Sequence, residues 1–358
     1  MVQQSYKTPT AFYGALKHKA QLLANDSMSV ADIMSSYYFS RLVARVFHAQ
    51  PDRWVLKGGH ALLMRYATAA RLSQDIDIQH AGGDIGEAVS ALLSAASHDL
   101  SDYLRFEPKR LSTHQNGSDG AKQLFHVYLG NHHVNVLRVD VVVGHQPTSV
   151  PDSRLIQPLV DLNWPAYWPE VKLYPIVSHL ADKVCALFER HKGAPSSRFR
   201  DLADILLISQ REELDGRYAQ IAIRAEARRR MIAGTTLKLP RTFQAPGPAW
   251  PARYPAAARQ VPGLNGCGDW TQAAIAADAF LTPLLAPDPP GHWRPADAGW
   301  YARTQPITPP QADGHAERPH TIEAEARTRH PSAPASPATR HPHPDVPPPP
   351  GAAATPHR

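Results

Sequence analysis

Two adjacent glycines divide Trp54-Val-Leu-Lys-Gly-Gly-His-Ala-Leu62 into a short apolar run and a segment with helical spacing. A strand that meets glycines at the start of a helix leaves backbone N–H groups uncovered, because no Cβ shields them, and the helix dipole attracts negative charge there. We therefore predict a strand–turn–helix unit with an anion site at Gly58 and Gly59. Paired glycines also occur in ordinary turns, so this motif indicates a function only in combination with others.

A pair of aspartates follows in Arg71-Leu-Ser-Gln-Asp-Ile-Asp-Ile78. The period-two alternation predicts a strand that presents Asp75 and Asp77 on one face. Two carboxylates side by side repel each other unless a cation lies between them, and Mg²⁺ prefers carboxylate oxygens together with substrate phosphates. The pair therefore indicates metal-assisted phosphoryl or nucleotidyl transfer, with a solvated strand face as the other interpretation. The glycine-centred pattern of a Ca²⁺ loop is missing.

Further charged residues could complete such a site. Asp140 lies in an almost wholly apolar strand, where its carboxylate is either a metal ligand or base, or the ion-pair partner of Arg138. Lys183 and Asp201 occur in two later helical segments. Lys183 could reach nucleotide phosphates as a point charge while Asp201 orients it, or the two could form an ordinary surface ion pair.

The order of the segments predicts an α+β fold rather than regular βαβ units. Apolar residues at helical spacing predict helices over Ala11–Leu23, Val30–Phe47, Gly86–Leu104, Pro175–His191 and Arg198–Leu214. Alternation predicts a hairpin of Gln123–Leu129 and Val134–Val143 around Gly130. We expect residues 1–165 to form a small mixed sheet with flanking helices, and residues 166–302 to form a helical domain that completes the active site.

Composition limits the possible classes of protein. The chain has 358 residues, of which 43% are hydrophobic, so it can bury a sizeable core. No apolar run approaches the roughly 18 residues of a membrane span, no signal-peptide segment opens the chain, and two cysteines cannot build a disulfide framework. We therefore expect a reduced, soluble, cytoplasmic protein with no membrane partner. A net charge of +6 permits an anionic partner such as nucleic acid or nucleotide.

The last 56 residues differ from the rest of the chain. Residues 303–358 hold 14 of the 35 prolines and contain no Phe, Trp, Tyr or Leu. With so little to bury, this segment cannot offset the entropy of ordering, so we predict a disordered, proline-rich tail. A proline-rich ligand is the other interpretation.

Together these motifs resemble the AbiEii/AbiGii nucleotidyltransferase toxins, which include the MenT-type toxins and belong to the DNA polymerase β-like nucleotidyltransferase superfamily. Four motifs carry the resemblance: Lys57-Gly-Gly-His-Ala-Leu62, Arg71-x-Ser-x-Asp-Ile-Asp77, Asp182-Lys183 and Arg200-Asp-Leu-x-Asp204. The resemblance covers roughly residues 30–302. It implies an enzyme that uses Mg²⁺, expected as two ions, and an NTP to transfer NMP to an acceptor, which in studied relatives is tRNA. It also implies a toxin restrained by an antitoxin encoded nearby and tied to phage defence.

The resemblance assigns several residues to nucleotide binding. Gly58 and Gly59 would cradle the triphosphate, Ser73 would lie beside the phosphates and Lys183 would contact them. His60 stands where relatives commonly have Thr or Ser after the two glycines. Its imidazole can still donate to phosphate but is bulkier, so the pose of the triphosphate and the choice of NTP could differ.

The resemblance assigns catalysis to charged residues. Asp75 and Asp77 would hold Mg²⁺, and Asp140 falls where the superfamily often has its third carboxylate. Lys183 and Asp201 would complete the catalytic set, with Asp201 supporting the site.

An arginine cluster is the candidate acceptor site. It comprises Arg224, Arg228, Arg229 and Arg230, of which the first two are i,i+4 on one helix face. The cluster could bind tRNA phosphates, or it could be a solvated helix face. Two other functions stay open: modification of a protein or small molecule, which would not need this cluster, and an inactive module that binds NTP or RNA.

Overall fold

The structure, a computed structural model, describes residues 6–113, 120–144, 147, 149–162, 167–190 and 192–302. These residues form an α+β fold, as predicted. The strands are β1 (Trp54–Lys57), β2 (Ile76–His80), β3 (Leu104–Thr113), β4 (Gly120–Leu129), β5 (His132–Val142), β6 (Asp152–Leu155), β7 (Glu170–Leu173), β8 (Glu189–Arg190), β9 (Leu214–Asp215), β10 (Thr236–Leu237), β11 (His292–Arg294) and β12 (Gly299–Tyr301). The helices are α1 (Pro9–Leu23), α2 (Val30–Ala49), α3 (Gly58–Tyr66), α4 (Ile85–Ala96), α5 (Ile176–Phe188), α6 (Phe199–Ser209), α7 (Gly216–Ile232), α8 (Trp250–Ala258) and α9 (Trp270–Leu285).

A mixed sheet positions the predicted aspartates. Its strand order is β3-β4-β5-β2-β1-β7-β6. Strand β1 pairs antiparallel with β2 and parallel with β7, while β2 pairs parallel with β5. The register places Asp77 opposite Lys57 on one side and opposite Asp140 on the other. Because residues directly opposite in neighbouring strands project from the same face, the two carboxylates share one face of the sheet.

Local sequence signals explain where two helices begin and where a hairpin turns. Ser29 caps α2 by accepting a hydrogen bond from the Asp32 N–H at 3.1 Å, and Asp84 caps α4. The predicted hairpin is confirmed, because β4 and β5 pair antiparallel on either side of Gly130. Gly130 has a φ of 55°, a left-handed conformation that glycine adopts without strain.

The helix predicted over Gly86–Leu104 is wrong in its second half. Helix α4 ends at Ala96, and Leu104 already begins strand β3. Between them Ser101 and Tyr103 have φ values of 55° and 60°, which a right-handed helix does not allow. The segment is therefore a helix, a strained turn and an edge strand, although its apolar spacing suggested one helix.

A buried ion pair accounts for this turn. Asp102 lies inside it and bonds to Arg41 and Arg45 of α2 at 2.5 and 2.6 Å, with all three side chains wholly buried. Burial alone would raise the pKa of Asp102, but the hydrogen bonds and charges of the two arginines outweigh it and hold the pKa below its usual range. The turn is thus anchored by residues some 60 positions away in the chain.

Two buried apolar clusters meet at α3. The first joins α1, α2 and α4 to the sheet, and the second fills the helical half of the chain. Within α3, Ala61 belongs to the first cluster, whereas Leu62 and Leu63 belong to the second. The glycine turn that precedes them therefore lies at the junction of the two clusters.

The predicted boundary at residue 165 stays a prediction. Strand β7, which follows it, lies in the same sheet as the strands before it. The predicted tail, 303–358, lies outside the described residues. Within the part of the chain that the structure describes, none of the helices is both long enough and apolar enough to cross a membrane.

Candidate active site

A cavity of about 1040 Å³ opens where β1 ends and α3 begins. Its volume is at the upper end of the range of about 300–1,000 Å³ typical of small-molecule sites. Eight lysines and arginines and five aspartates line it, and this excess of positive charge suits an anionic ligand. The charged lining comprises Lys57, Arg71, Lys122, Lys183, Arg198, Arg200, Arg230 and Arg253 with Asp75, Asp77, Asp140, Asp182 and Asp201.

The glycine turn forms one wall and requires glycine for two reasons. Gly58 has a φ of 63°, and a Cβ there would overlap the carboxylate of Asp77. At Gly59 a Cβ would lie 2.9 Å from the Ser73 Oγ and 3.2 Å from the guanidinium of Arg71. The turn therefore brings bare backbone directly against Asp77, one of the two predicted metal ligands, as an anion cradle beside a carboxylate demands.

The predicted carboxylates line this same cavity. Asp77 on β2 lies opposite Asp140 on β5, and Asp75 directly precedes β2. Burial, and then the charges of Asp75 and Asp140, raise the pKa of Asp77 to about 7. Asp140 forms an ion pair at 3.3 Å with Lys122 of β4. Its ion-pair partner is therefore this lysine and not Arg138.

This donor set fits a divalent cation that binds together with a nucleotide. Among the described residues, no group of three or more His, Cys, Asp or Glu side chains is gathered so as to hold an ion by itself. Mg²⁺, however, is usually bound by one or two carboxylates plus substrate phosphates and water. Burial first, and then the charges of Asp75 and Asp140, disfavour the ionised form of Asp77, and a bound cation would favour that form. Asp75 and Asp77 could therefore hold Mg²⁺ beside the turn that would cradle the phosphates.

A buried ionic network holds Lys183 in the lining of the same cavity. Its Nζ donates to Asp201 at 2.9 Å and to Asp204 at 2.6 Å, and Asp204 also accepts from Arg71 at 3.0 Å. Burial alone would raise the pKa of Asp204, but the charges of Lys183 and Arg71 outweigh it and lower the pKa to about 2. The side chain of Lys183 is only 7% exposed, so its ion pair with Asp201 is buried and is not an ordinary surface ion pair.

Two members of this network were missed as site residues in the sequence. In the sequence, Asp204 is only the last residue of one motif and Arg71 only the first residue of another. The i,i+3 spacing of Asp201 and Asp204 was the available signal, because both project from one face of α6. The contact of Asp204 with Arg71 spans 133 residues of chain and follows no local rule.

The side chains of His60 and Ser73 are buried near the glycine turn, and their roles in nucleotide binding stay predictions. The imidazole of His60 is fully buried against Phe39 of α2, and burial lowers its pKa to about 4. Ser73 is also buried, and its hydroxyl donates to Asp75 at 3.3 Å. Neither residue lines the cavity, although the Ser73 Oγ lies beside Gly59, which does.

The arginine cluster does not form one free basic stripe. Arg224 donates to two backbone carbonyls beyond the end of α9. Arg229 and Arg230 both pair with Glu226, at 2.7 and 2.6 Å, and Arg230 lines the cavity. Arg224, Arg228 and Arg229 are exposed. Two of the four arginines, Arg224 and Arg230, bond to groups outside α7, and tRNA binding by the cluster stays a prediction.

A family model described as "Nucleotidyl transferase AbiEii toxin, Type IV TA system" matches residues 41–282, which is more than half of the chain. The chain belongs to this family. AbiEii proteins are nucleotidyltransferase toxins, so the chain is assigned an NTP as substrate and an antitoxin as partner at the level of the family. The matched range contains the glycine turn, the three carboxylates and the Lys183 network.

Two solved structures are similar to the chain at low sequence identity. The AbiEii chain is similar to the toxin MenT4 of Mycobacterium tuberculosis H37Rv, with 16% identity, a TM-score of 0.47 and coverage of 77% of this chain and 93% of that one. It is also similar to a putative nucleotidyltransferase of Helicobacter pylori, with 13% identity, a TM-score of 0.39 and coverage of 70% and 92%. None of the curated proteins compared with the chain matches it.

Proposed function

We propose that this AbiEii toxin transfers NMP from an NTP to tRNA in a Mg²⁺-dependent reaction in the cytoplasm, and that release from its antitoxin contributes to phage defence. The observation that carries the proposal is the alignment of Asp77 and Asp140 on one sheet face, against Gly58 and in one cavity with Lys183. A carboxylate pair, a phosphate cradle and a fixed cation in one cavity are what nucleotidyl transfer requires.

Each group has one task in the proposed reaction. The backbone at Gly58 and Gly59 and the ammonium of Lys183 bind the triphosphate, and Asp75 and Asp77 hold Mg²⁺. When bound, Mg²⁺, expected as two ions, aligns the α-phosphate with the acceptor hydroxyl and stabilises the charge of the leaving pyrophosphate.

Asp140 acts as the base of this step. The acceptor oxygen forms a bond to the α-phosphorus, the bond to the bridging oxygen breaks, and pyrophosphate leaves with those electrons. Asp140 receives the hydroxyl proton. Asp201 acts indirectly, because it holds Lys183 in place at 2.9 Å.

Basic residues at the rim of the cavity support a nucleic-acid acceptor. Arg198, whose side chain is 61% exposed, and Arg253 both line the cavity. Of the predicted cluster, Arg228 is exposed and Arg230 reaches the cavity. We propose that Arg198, Arg253 and Arg228 contact tRNA phosphates, while Arg224, Arg229 and Arg230 support α7.

The test is to incubate the protein with total bacterial tRNA, Mg²⁺ and each α-³²P-labelled NTP separately. We expect one or more NTPs to label tRNA, and we expect the label to vanish with EDTA and in Asp77→Asn or Asp75→Asn. Asp26→Asn, an exposed aspartate outside the cavity, is the matched control and should label fully.

The other outcomes separate the alternatives. Labelling of a protein or small molecule instead of tRNA would favour the other acceptor class, and so would full activity after Arg198→Gln and Arg253→Gln together. Retained NTP binding without pyrophosphate release would favour an inactive binding module. Full activity in Asp77→Asn would refute the assignment of the site.

A further inference from the structure

His179 lies on α5 one turn before Lys183 and lines the same cavity. The two residues are i,i+4, so they share one helix face. The start of α5 is fixed beside β1, because the Tyr174 N–H donates to the carbonyl of Leu56 at 2.8 Å. Since β1 leads directly into Gly58, His179 belongs to the wall that runs from the glycine turn to Lys183.

The imidazole of His179 has no protein partner in the described part of the chain. Both ring nitrogens lack a hydrogen bond there, although the residue is only 3% exposed. Its ring meets Tyr174 edge-on at 6.3 Å, which is a packing contact. Buried polar groups are nearly always hydrogen-bonded, so an unpartnered imidazole in a cavity wall indicates that its partner is a ligand.

The surroundings of His179 favour an anion as that ligand. Burial, and then the charge of Lys183, lower the pKa of His179 well below its ordinary value, so the ring is neutral and carries one N–H donor. Lys57 lies in the same wall, with its Nζ 3.2 Å from Asp182 and 4.0 Å from the centre of the Tyr174 ring. A donor held between a lysine on the strand and a lysine on the helix matches the oxygens of a polyphosphate.

We infer that His179 is a further nucleotide-contacting residue, whose ring N–H donates to the polyphosphate of the bound NTP. This inference rests on the proposed function, because it places an NTP in the same cavity. His179 would thus supply the imidazole donor to phosphate that the sequence suggested for His60, the residue after the two glycines.

Histidine-ring NMR of the full ¹⁵N-histidine-labelled chain tests this contact. The probes are Mg²⁺-tripolyphosphate, which carries the polyphosphate without a base, and then the Mg²⁺ complexes of the four α,β-methylene NTPs. The ring signals are assigned from their loss in His179→Gln or His179→Asn, and in His60→Gln. His60 is a matched control, because its ring is equally buried and unpartnered among the described residues but does not line the cavity.

We expect both kinds of probe to shift the His179 ring signals and to leave those of His60 in place. By calorimetry, His179→Gln and His179→Asn should bind the analogue about tenfold more weakly, as expected when one hydrogen bond to a charged group is lost. His18→Gln, at an exposed residue outside the cavity, should bind with unchanged affinity.

The failures of the two proposals are distinguishable. Analogue binding that leaves the His179 signals unmoved, or that keeps full affinity in both His179 variants, overturns this inference and leaves the proposed function standing. No binding of tripolyphosphate or of any of the four analogues by the wild-type chain overturns both.

Discussion

Replacing Asp204 by asparagine removes the charge that joins Lys183 to Arg71, with little change in volume. Asp204 is 1% exposed and accepts from both cations within 3.1 Å. Breaking a buried pair by removing one partner typically costs about 3–5 kcal/mol, because uncompensated charge is left inside. Asparagine still offers one acceptor oxygen, and Asp201 still holds Lys183, so we expect a loss of about 3 kcal/mol in the free energy of unfolding at neutral pH.

The pH dependence of the free energy of unfolding gives a second measure of the contribution of Asp204. The pKa of Asp204 is lowered from 3.8 to about 2 in the folded chain. A lowered folded-state pKa stabilises the fold above the unfolded-state pKa, and this stabilisation is lost as the pH falls through the folded-state value. The shift corresponds to about 2 kcal/mol at pH 7 and to roughly half of that at pH 3. The difference between wild type and Asp204→Asn should therefore shrink on acidification.

Urea unfolding followed by far-UV circular dichroism measures this difference at pH 7, 4 and 3. Asp26→Asn is the control, because Asp26 is exposed and its substitution should change stability by less than about 0.5 kcal/mol. An Asp204→Asn variant as stable as wild type at pH 7 would refute the reasoning. So would a difference between the two proteins that stays constant from pH 7 to pH 3.

Two further substitutions test the glycine turn and the turn before β3. Gly58→Ala should abolish nucleotidyl transfer, because the new Cβ would displace the carboxylate of Asp77, and the left-handed backbone should cost about 1–2 kcal/mol in a urea titration. Asp102→Asn should destabilise the fold by about 3–5 kcal/mol in the same titration, because it leaves Arg41 and Arg45 buried without their carboxylate.

Each of these predictions has a matched control in the chain. Gly144 is also left-handed, with a φ of 75°, but a Cβ there would meet no atom of the described residues within 4 Å. Gly144→Ala should therefore lose similar stability and keep transfer, and active Gly58→Ala would contradict the proposed geometry. Asp99 is exposed near the same turn as Asp102 and serves as its control. Equal urea midpoints for Asp99→Asn and Asp102→Asn would show that the buried ion pair does not anchor the turn.

Elements with strong local signals were predictable. The run Trp54–Leu56 and the glycines after it indicate a strand, a turn and a helix, and the structure has β1 and α3 there. Alternation around Gly130 identifies the hairpin, whose sharp turn requires a left-handed residue. These features depend on residues within a few positions of each other, so sequence patterns contain them.

Elements that depend on distant partners were not predictable. Strand β3 carries mostly exposed residues, so it lacks the alternation that identifies a half-buried strand. The turn before it is held by Asp102 and by arginines of α2, about 60 residues earlier. Sequence spacing alone extended α4 through this region, because nothing local marks a contact at that distance.

The sequence by itself determined the α+β class, the glycine turn and the placement of the aspartates on strands, because strand alternation and glycine geometry are local rules. Only the tertiary structure decided which side chains reach the cavity. It buried His60 against Phe39, left His179 in the cavity wall without a described protein partner, and joined Arg71 to Asp204 across 133 residues. The physical reason is that burial and ion pairing depend on which elements pack together, and packing between elements far apart in the chain follows no short-range pattern.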